Sequence, residues 1–144
     1  MAAGFSTDLS NSLAASTRAA NPGGRWRLRN YQNRYNMKRI QWLGASLNTV
    51  REFPVDARAL IGQELRLVQS GLMPSDFKPM PTVGAGTYEI RVRAGNQYRV
   101  IYVAKFSDSV YVLHAFIKKT PKTAQPDLEI AKSRYTALLK EKKS

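Results

Sequence analysis

Between Thr87 and Ile117 the chain carries three strand-like runs, joined by turns too short for anything but hairpins. In the first run, Thr87 to Arg93, Tyr88, Ile90 and Val92 alternate with Glu89, Arg91 and Arg93. Ala94-Gly95-Asn96 is a hairpin turn. The second run, Gln97 to Lys105, is mostly Val, Ile and Tyr. Ser107-Asp108-Ser109 turns the chain again into a third run, Val110 to Ile117. Consecutive hairpins give an antiparallel meander, and whatever else the chain forms must pack against it.

The flanking segments read as helices and one more strand. Lys38 to Trp42 is strand-like, with Ile40 and Trp42 on one side. Leu47, Val50 and Phe53 suggest a short helix ending at Phe53-Pro54. Pro54 suits the first turn of a second helix, and Asp56 near that end suits the helix dipole. Ile61, Leu65, Val68 and Leu72 continue this helix as a stripe at i, i+4, i+7 and i+11, with Gly71 as a stop. Pro74 to Gly86 reads as a loop containing three prolines. Leu128, Ala131, Tyr135 and Leu138 mark a last amphipathic helix with a lysine-rich end. The expected fold is α+β in the order β-α-α-β-β-β-α, a small antiparallel sheet with its helices on one face.

Residues 1–36 differ from the rest. They hold five arginines, no lysine and a single acid, Asp8, without a sustained hydrophobic period. Such a stretch buries too little apolar surface to offset its ordering entropy, so a flexible basic extension is expected before a domain over 37–144. It reads as a disordered leader, as sequence upstream of a natural start at Met37, or as an organelle-targeting segment.

Composition narrows the chemistry. There are 23 Lys+Arg against 10 Asp+Glu in 144 residues, a formal charge of +13. Such a balance points to a polyanionic partner, nucleic acid before an acidic protein or an anionic membrane surface. Cysteine is absent, which excludes disulfides, thiolate metal sites and cysteine nucleophiles. One histidine, His114, excludes any site needing two. No Gly-x-Ser-x-Gly elbow supports a serine triad. No apolar run approaches the ~18 residues of a membrane span. A reduced, cytoplasmic setting is expected, with no metal or other cofactor.

The cations gather on the meander. Arg91 and Arg93 are two apart and project from one face of their strand, which Glu89 shares. A hairpin partner brings Arg99 close, on a face that depends on the turn register. The third run ends in His114-Ala115-Phe116-Ile117-Lys118-Lys119-Thr120. Arginine binds phosphate bidentately, and interleaved Tyr88, Tyr98, Tyr102 and Phe116 could stack bases of a single strand. Taken singly these signals are ordinary. Strand tyrosines commonly stabilise sheets, basic faces commonly solubilise, and a histidine among Val, Leu and Phe is often a core residue.

Together they carry a resemblance. Trp42-Leu43-Gly44-Ala45-Ser46, Phe77-Lys78-Pro79-Met80-Pro81, Tyr88-Glu89-Ile90-Arg91, Tyr98-Arg99-Val100-Ile101-Tyr102 and the His114 to Thr120 segment resemble the phage-type, HigB-like branch of the RelE/ParE toxin superfamily. The resemblance runs from about Lys38 to Lys140 and implies the RelE-like α+β fold. It also implies the toxin of a type II toxin–antitoxin pair, a metal-independent endoribonuclease cutting messenger RNA in the ribosomal A site. In such a reaction the ribose 2′-oxygen attacks the adjacent phosphate, leaving a 2′,3′-cyclic phosphate and a 5′-hydroxyl. A cognate antitoxin of helix-turn-helix type is the implied partner.

Carried onto this chain, the basic positions of the RelE-like hairpin fall on Arg91, Arg93 and Arg99, with Arg99 stabilising the phosphorane, and the strand-end positions fall on Lys118 and Lys119 as phosphate clamps or proton donor. His114 is the default acid or base, with a lysine depressed by cationic neighbours as the alternative base. Arg93, Lys119 and Lys78 would hold RNA, and Tyr88 or Phe116 would stack a base. Tyr135 is an uncertain counterpart of the tyrosine that assists RelE. Two other functions are compatible with this fold: a ParE-like gyrase inhibitor and a non-enzymatic RNA-binding phage accessory protein.

Overall fold

The computed structural model of the chain describes residues 37–143. The expectations for residues 1–36 lie outside the described residues. Eight elements follow one another: β1 (Arg39–Trp42), α1 (Ser46–Arg51), α2 (Val55–Gln69), β2 (Phe77–Pro79), β3 (Thr87–Ala94), β4 (Asn96–Val103), β5 (Ser109–Lys118) and α3 (Gln125–Lys143). They form a mixed α+β fold around a five-stranded sheet of order β1-β5-β4-β3-β2. β2 to β5 run antiparallel, and β1 lies parallel to β5 at the edge.

The meander forms as its alternation predicts, with one added strand. The segment read as a loop contributes β2, a three-residue edge strand paired through Lys78 opposite Glu89. Its prolines are tolerated because an edge strand needs few ladder hydrogen bonds. The β3–β4 turn is tight: Ala94 pairs with Asn96, and Gly95 between them takes φ +81°.

α2 ends where its glycine dictates. The N–H of Gly71, at φ +87°, donates to Val68 O at 3.0 Å, and that of Leu72 donates to Leu67 O at 2.9 Å. This pair of bonds is a Schellman motif. Leu72 therefore falls outside the helix and is 59% exposed, while Ile61, Leu65 and Val68 are buried as expected.

The helices divide between both faces of the sheet instead of sharing one. Val50, Phe53, Ile61 and Leu65 of the α1–α2 region pack with Ile90, Val100, Tyr102, Val110 and Val112. Ala131, Tyr135 and Leu138 of α3 pack with Ile101, Val103, Tyr111 and Leu113. The reason lies in β4 and β5. Both are apolar at successive positions, so a single helical layer would leave half of those side chains in water.

β5 is not regular. Ile101 pairs with His114 but Tyr102 pairs with Val112, so Leu113 is an extra residue, a β-bulge. A bulge leaves a backbone group without its strand partner. Here the guanidinium of Arg134 donates to Leu113 O at 2.7 Å from α3. That side chain occupies the space beside Gly44, where any Cβ would overlap the guanidinium. Gly44 also holds φ +55°. Gly44→Ala is expected to cost about 2 kcal/mol, from backbone strain and displacement of Arg134. Gly95→Ala, with φ +81° but open space around its Cβ, is expected to cost about 1 kcal/mol from strain alone. Urea unfolding of the two variants checks the difference.

Candidate nucleic-acid interface

The bulge decides which residues share a face. Under strict alternation His114, Phe116 and Lys118 would follow Val110 and Val112 toward α1 and α2. The extra residue sends them to the opposite side. Phe116 then pairs with Arg99, which pairs with Arg91. Lys118 pairs with Gln97, which pairs with Arg93. Lys78 pairs with Glu89, Glu89 with Ile101, and Ile101 with His114. Directly opposed residues in a sheet point to the same side, with Cβ atoms ~5 Å apart. Lys78, Arg91, Arg93, Arg99, His114, Phe116 and Lys118 therefore occupy one face, the α3 side. Lys119 follows the end of β5 and lines a shallow cleft with Phe116, Lys118, Thr120 and Asp127.

At the centre of these cations lies Glu89, 0% exposed. One carboxylate oxygen accepts from Thr123 Oγ1 at 3.0 Å, and the other stands 3.6 Å from Arg99 Nε. Arg99 is itself only 3% exposed. Its other two nitrogens donate to Tyr98 O at 3.0 Å and to Gln97 Oε1 at 2.8 Å. A fully buried carboxylate offsets part of the repulsion among the cations and fixes the guanidinium beneath the surface. Arg91 is half-buried and Arg93, Lys78 and Lys119 are exposed, so these reach solvent more freely.

Burial and charge act on the bases as well. Desolvation, then neighbouring Arg91 and Arg93, holds the Arg99 pKa below its ordinary value against the opposing pull of Glu89 and Asp76. Lys118 is likewise lowered, first by desolvation and then by Arg99, Arg91 and Lys78, with Glu89 opposing. The resemblance implies phosphate clamping or proton donation for this lysine, and a lysine depressed in this way also fits the alternative base.

His114 is half-buried, and its Nε2 lies 2.7 Å from Asp127 Oδ1. An ionised carboxylate only accepts, so Nε2 carries the hydrogen and Nδ1 is the nitrogen left for other work. The ring stacks on Phe116 with centroids 5.4 Å apart. Neither Asp127, in the first turn of α3, nor Thr123, in the loop before it, shares a strand pattern with the residues it touches. An acid in the first helical turn looks like a response to the helix dipole.

The Gp49-like family, described as Phage derived protein Gp49-like (DUF891), matches residues 48–136. The chain belongs to this family. Gp49-like proteins fall in the RelE/toxin–antitoxin-like group, so this is a phage-derived, toxin-type family. The matched span contains every strand of the cationic face and every candidate site residue. No curated protein matches the chain. Among the described residues no helix is long and apolar enough to cross a membrane.

Three aromatics of the Gp49-like chain do other work than base stacking. Tyr88 pairs with Tyr102 on the α1–α2 side, away from the cations, and meets Phe77 edge-on with centroids 5.7 Å apart. Phe116 is on the cationic face but buried, with one ring face against His114. Tyr135 is buried under α3, where its hydroxyl donates to Ala85 O at 2.7 Å. Alternation along β3 sets Tyr88 on the face opposite Arg91.

Arg99→Ala is expected to lower stability by about 3 kcal/mol, because it strands Glu89 as a buried unpaired charge. Arg99→Ala with Glu89→Gln should recover much of that loss, as measured by urea unfolding.

Proposed function

We propose that this Gp49-like chain is a HigB-like messenger RNA endoribonuclease, acting at the ribosomal A site by attack of a 2′-hydroxyl on the adjacent phosphate. The observation that supports it best is the bulge-dependent meeting of Arg91, Arg99, His114 and Lys118 on one sheet face. These are the group types such a reaction needs, and none of the steps requires a metal.

The 2′-oxygen must lose a proton as it attacks. Lys118 takes it, since its neighbours and burial disfavour the ammonium form. Charge then builds on the phosphorane. Arg91 contacts it with its guanidinium, and buried Arg99 adds fixed positive potential from beneath. The leaving 5′-oxygen needs a proton as its bond to phosphorus breaks. His114 supplies it through Nδ1, while Asp127 on Nε2 holds the ring in place. Lys78, Arg93 and Lys119 bind flanking phosphates. The products are a 2′,3′-cyclic phosphate and a 5′-hydroxyl. A cognate antitoxin of helix-turn-helix type would restrain the activity in the cytoplasm.

Induced expression tests this. Translational arrest with new 5′-hydroxyl ends in messages is expected, and Arg91→Ala should abolish both while the protein stays folded. A DNA damage response with intact messages would instead favour the gyrase-directed reading. Lys118→Arg keeps the charge but cannot accept a proton, and should slow cleavage at least 100-fold. Because Lys118 must be neutral and His114 protonated for the reaction, the wild-type rate should rise and then fall with pH, the rise following from the lowered Lys118 pKa. That rise should disappear in Lys118→Arg.

A further inference from the structure

At the open end of the cationic face, beside the β3–β4 turn, Asp76, Arg91, Val92, Arg93, Gln97 and Arg99 line a second shallow cleft. An acid is unexpected here, because it weakens phosphate binding. Its placement follows from the sheet. The N–H of Arg91 donates to Asp76 O at 2.9 Å, which extends the β2–β3 ladder by one pair. Asp76 thus stands in the same row as Arg91 and Arg99 and points to the same side. It is exposed, and it makes none of the ion pairs formed among the described residues, although three guanidiniums share its cleft.

The cleft therefore offers one acceptor among several donors. Both carboxylate oxygens of Asp76 are open to a ligand. Gln97 spends its Oε1 on Arg99, which orients its amide so that Nε2 remains as a donor. Arg91 and Arg93 add more. Phosphate has no hydrogen to give a carboxylate, so this cleft fits a base edge better than a backbone. A carboxylate with two open oxygens is saturated by two adjacent N–H groups. Among the four RNA bases only guanine presents such a pair, N1–H and the N2 amino group, next to an O6 acceptor for Arg91 or Gln97.

We propose that Asp76 and Gln97 form a guanine-reading subsite, which places one guanine at a fixed position beside the scissile phosphate. The proposal rests on the nuclease reading given above. Asp76 is a specificity residue and takes no part in the proton transfers.

The test is to map 5′-hydroxyl ends in cellular messages after induction of the full chain, of Asp76→Asn and of Asp76→Glu. Circular dichroism establishes that each is folded. Guanine should be enriched roughly tenfold at one position adjoining the wild-type cuts. Asp76→Asn should still cut messages but lose that enrichment, because its amide turns a donor toward N1–H. Asp76→Glu should retain the enrichment. Wild-type cuts with no base bias, with a bias for another base, or with a guanine bias that survives in Asp76→Asn would overturn the guanine assignment and leave the nuclease reading standing. Absence of wild-type cuts would overturn both.

Discussion

One extra residue in β5 organises the cationic face. If β5 kept strict alternation, its cationic end would look toward α1 and α2, and the arginines of β3 and β4 would face the other way. The bulge at Leu113 reverses the side-chain direction for everything after it. His114, Phe116 and Lys118 then join Arg91 and Arg99. The cost of the bulge is an unpaired carbonyl, and Arg134 removes it from the far side of the chain. Gly44 is the third member of this arrangement, since only a residue without a side chain leaves room for that guanidinium. Three segments remote in sequence thus fix one local irregularity.

Concentrating positive charge on a small surface is unfavourable unless something offsets it. Glu89 does so from within. It is completely buried, tied to the loop before α3 through Thr123, and close enough to Arg99 to hold it. The carboxylate and the cations have opposing effects on Lys118, whose pKa is nonetheless lowered. The face therefore combines a buried guanidinium below the surface with more exposed cations above it. In the proposed reaction this division separates orientation from contact, with Arg99 held below and Arg91, Arg93, Lys78 and Lys119 nearer to solvent.

The toxin-type family and the fold narrow the function without deciding it, because one scaffold can carry unrelated activities. What distinguishes a nuclease from a docking protein is a set of proton-handling groups beside phosphate ligands. The His114–Asp127 pair and the depressed Lys118 meet that description chemically.

Alternation, turn residues and helical spacing were enough to determine the elements of this protein from its sequence, except β2, which reads as part of a proline-containing loop. The meander, the Schellman stop at Gly71 and the common face of Glu89, Arg91 and Arg93 all follow from local chemistry. The segments Trp42 to Ser46 and Tyr98 to Tyr102 also carried the superfamily resemblance. What only the tertiary structure decided was every relation across elements. The parallel place of β1, the division of helices between two faces, the pairing of His114 with Asp127 and the contact of Thr123 with Glu89 depend on long-range packing. The bulge is the clearest instance. A residue inserted in a ladder leaves no mark in the apolar pattern of Val110 to Ile117, because β5 is apolar on both sides. With both faces buried, the sequence alone has no polar side by which to count the alternation, and only the partners on either side of the strand set it.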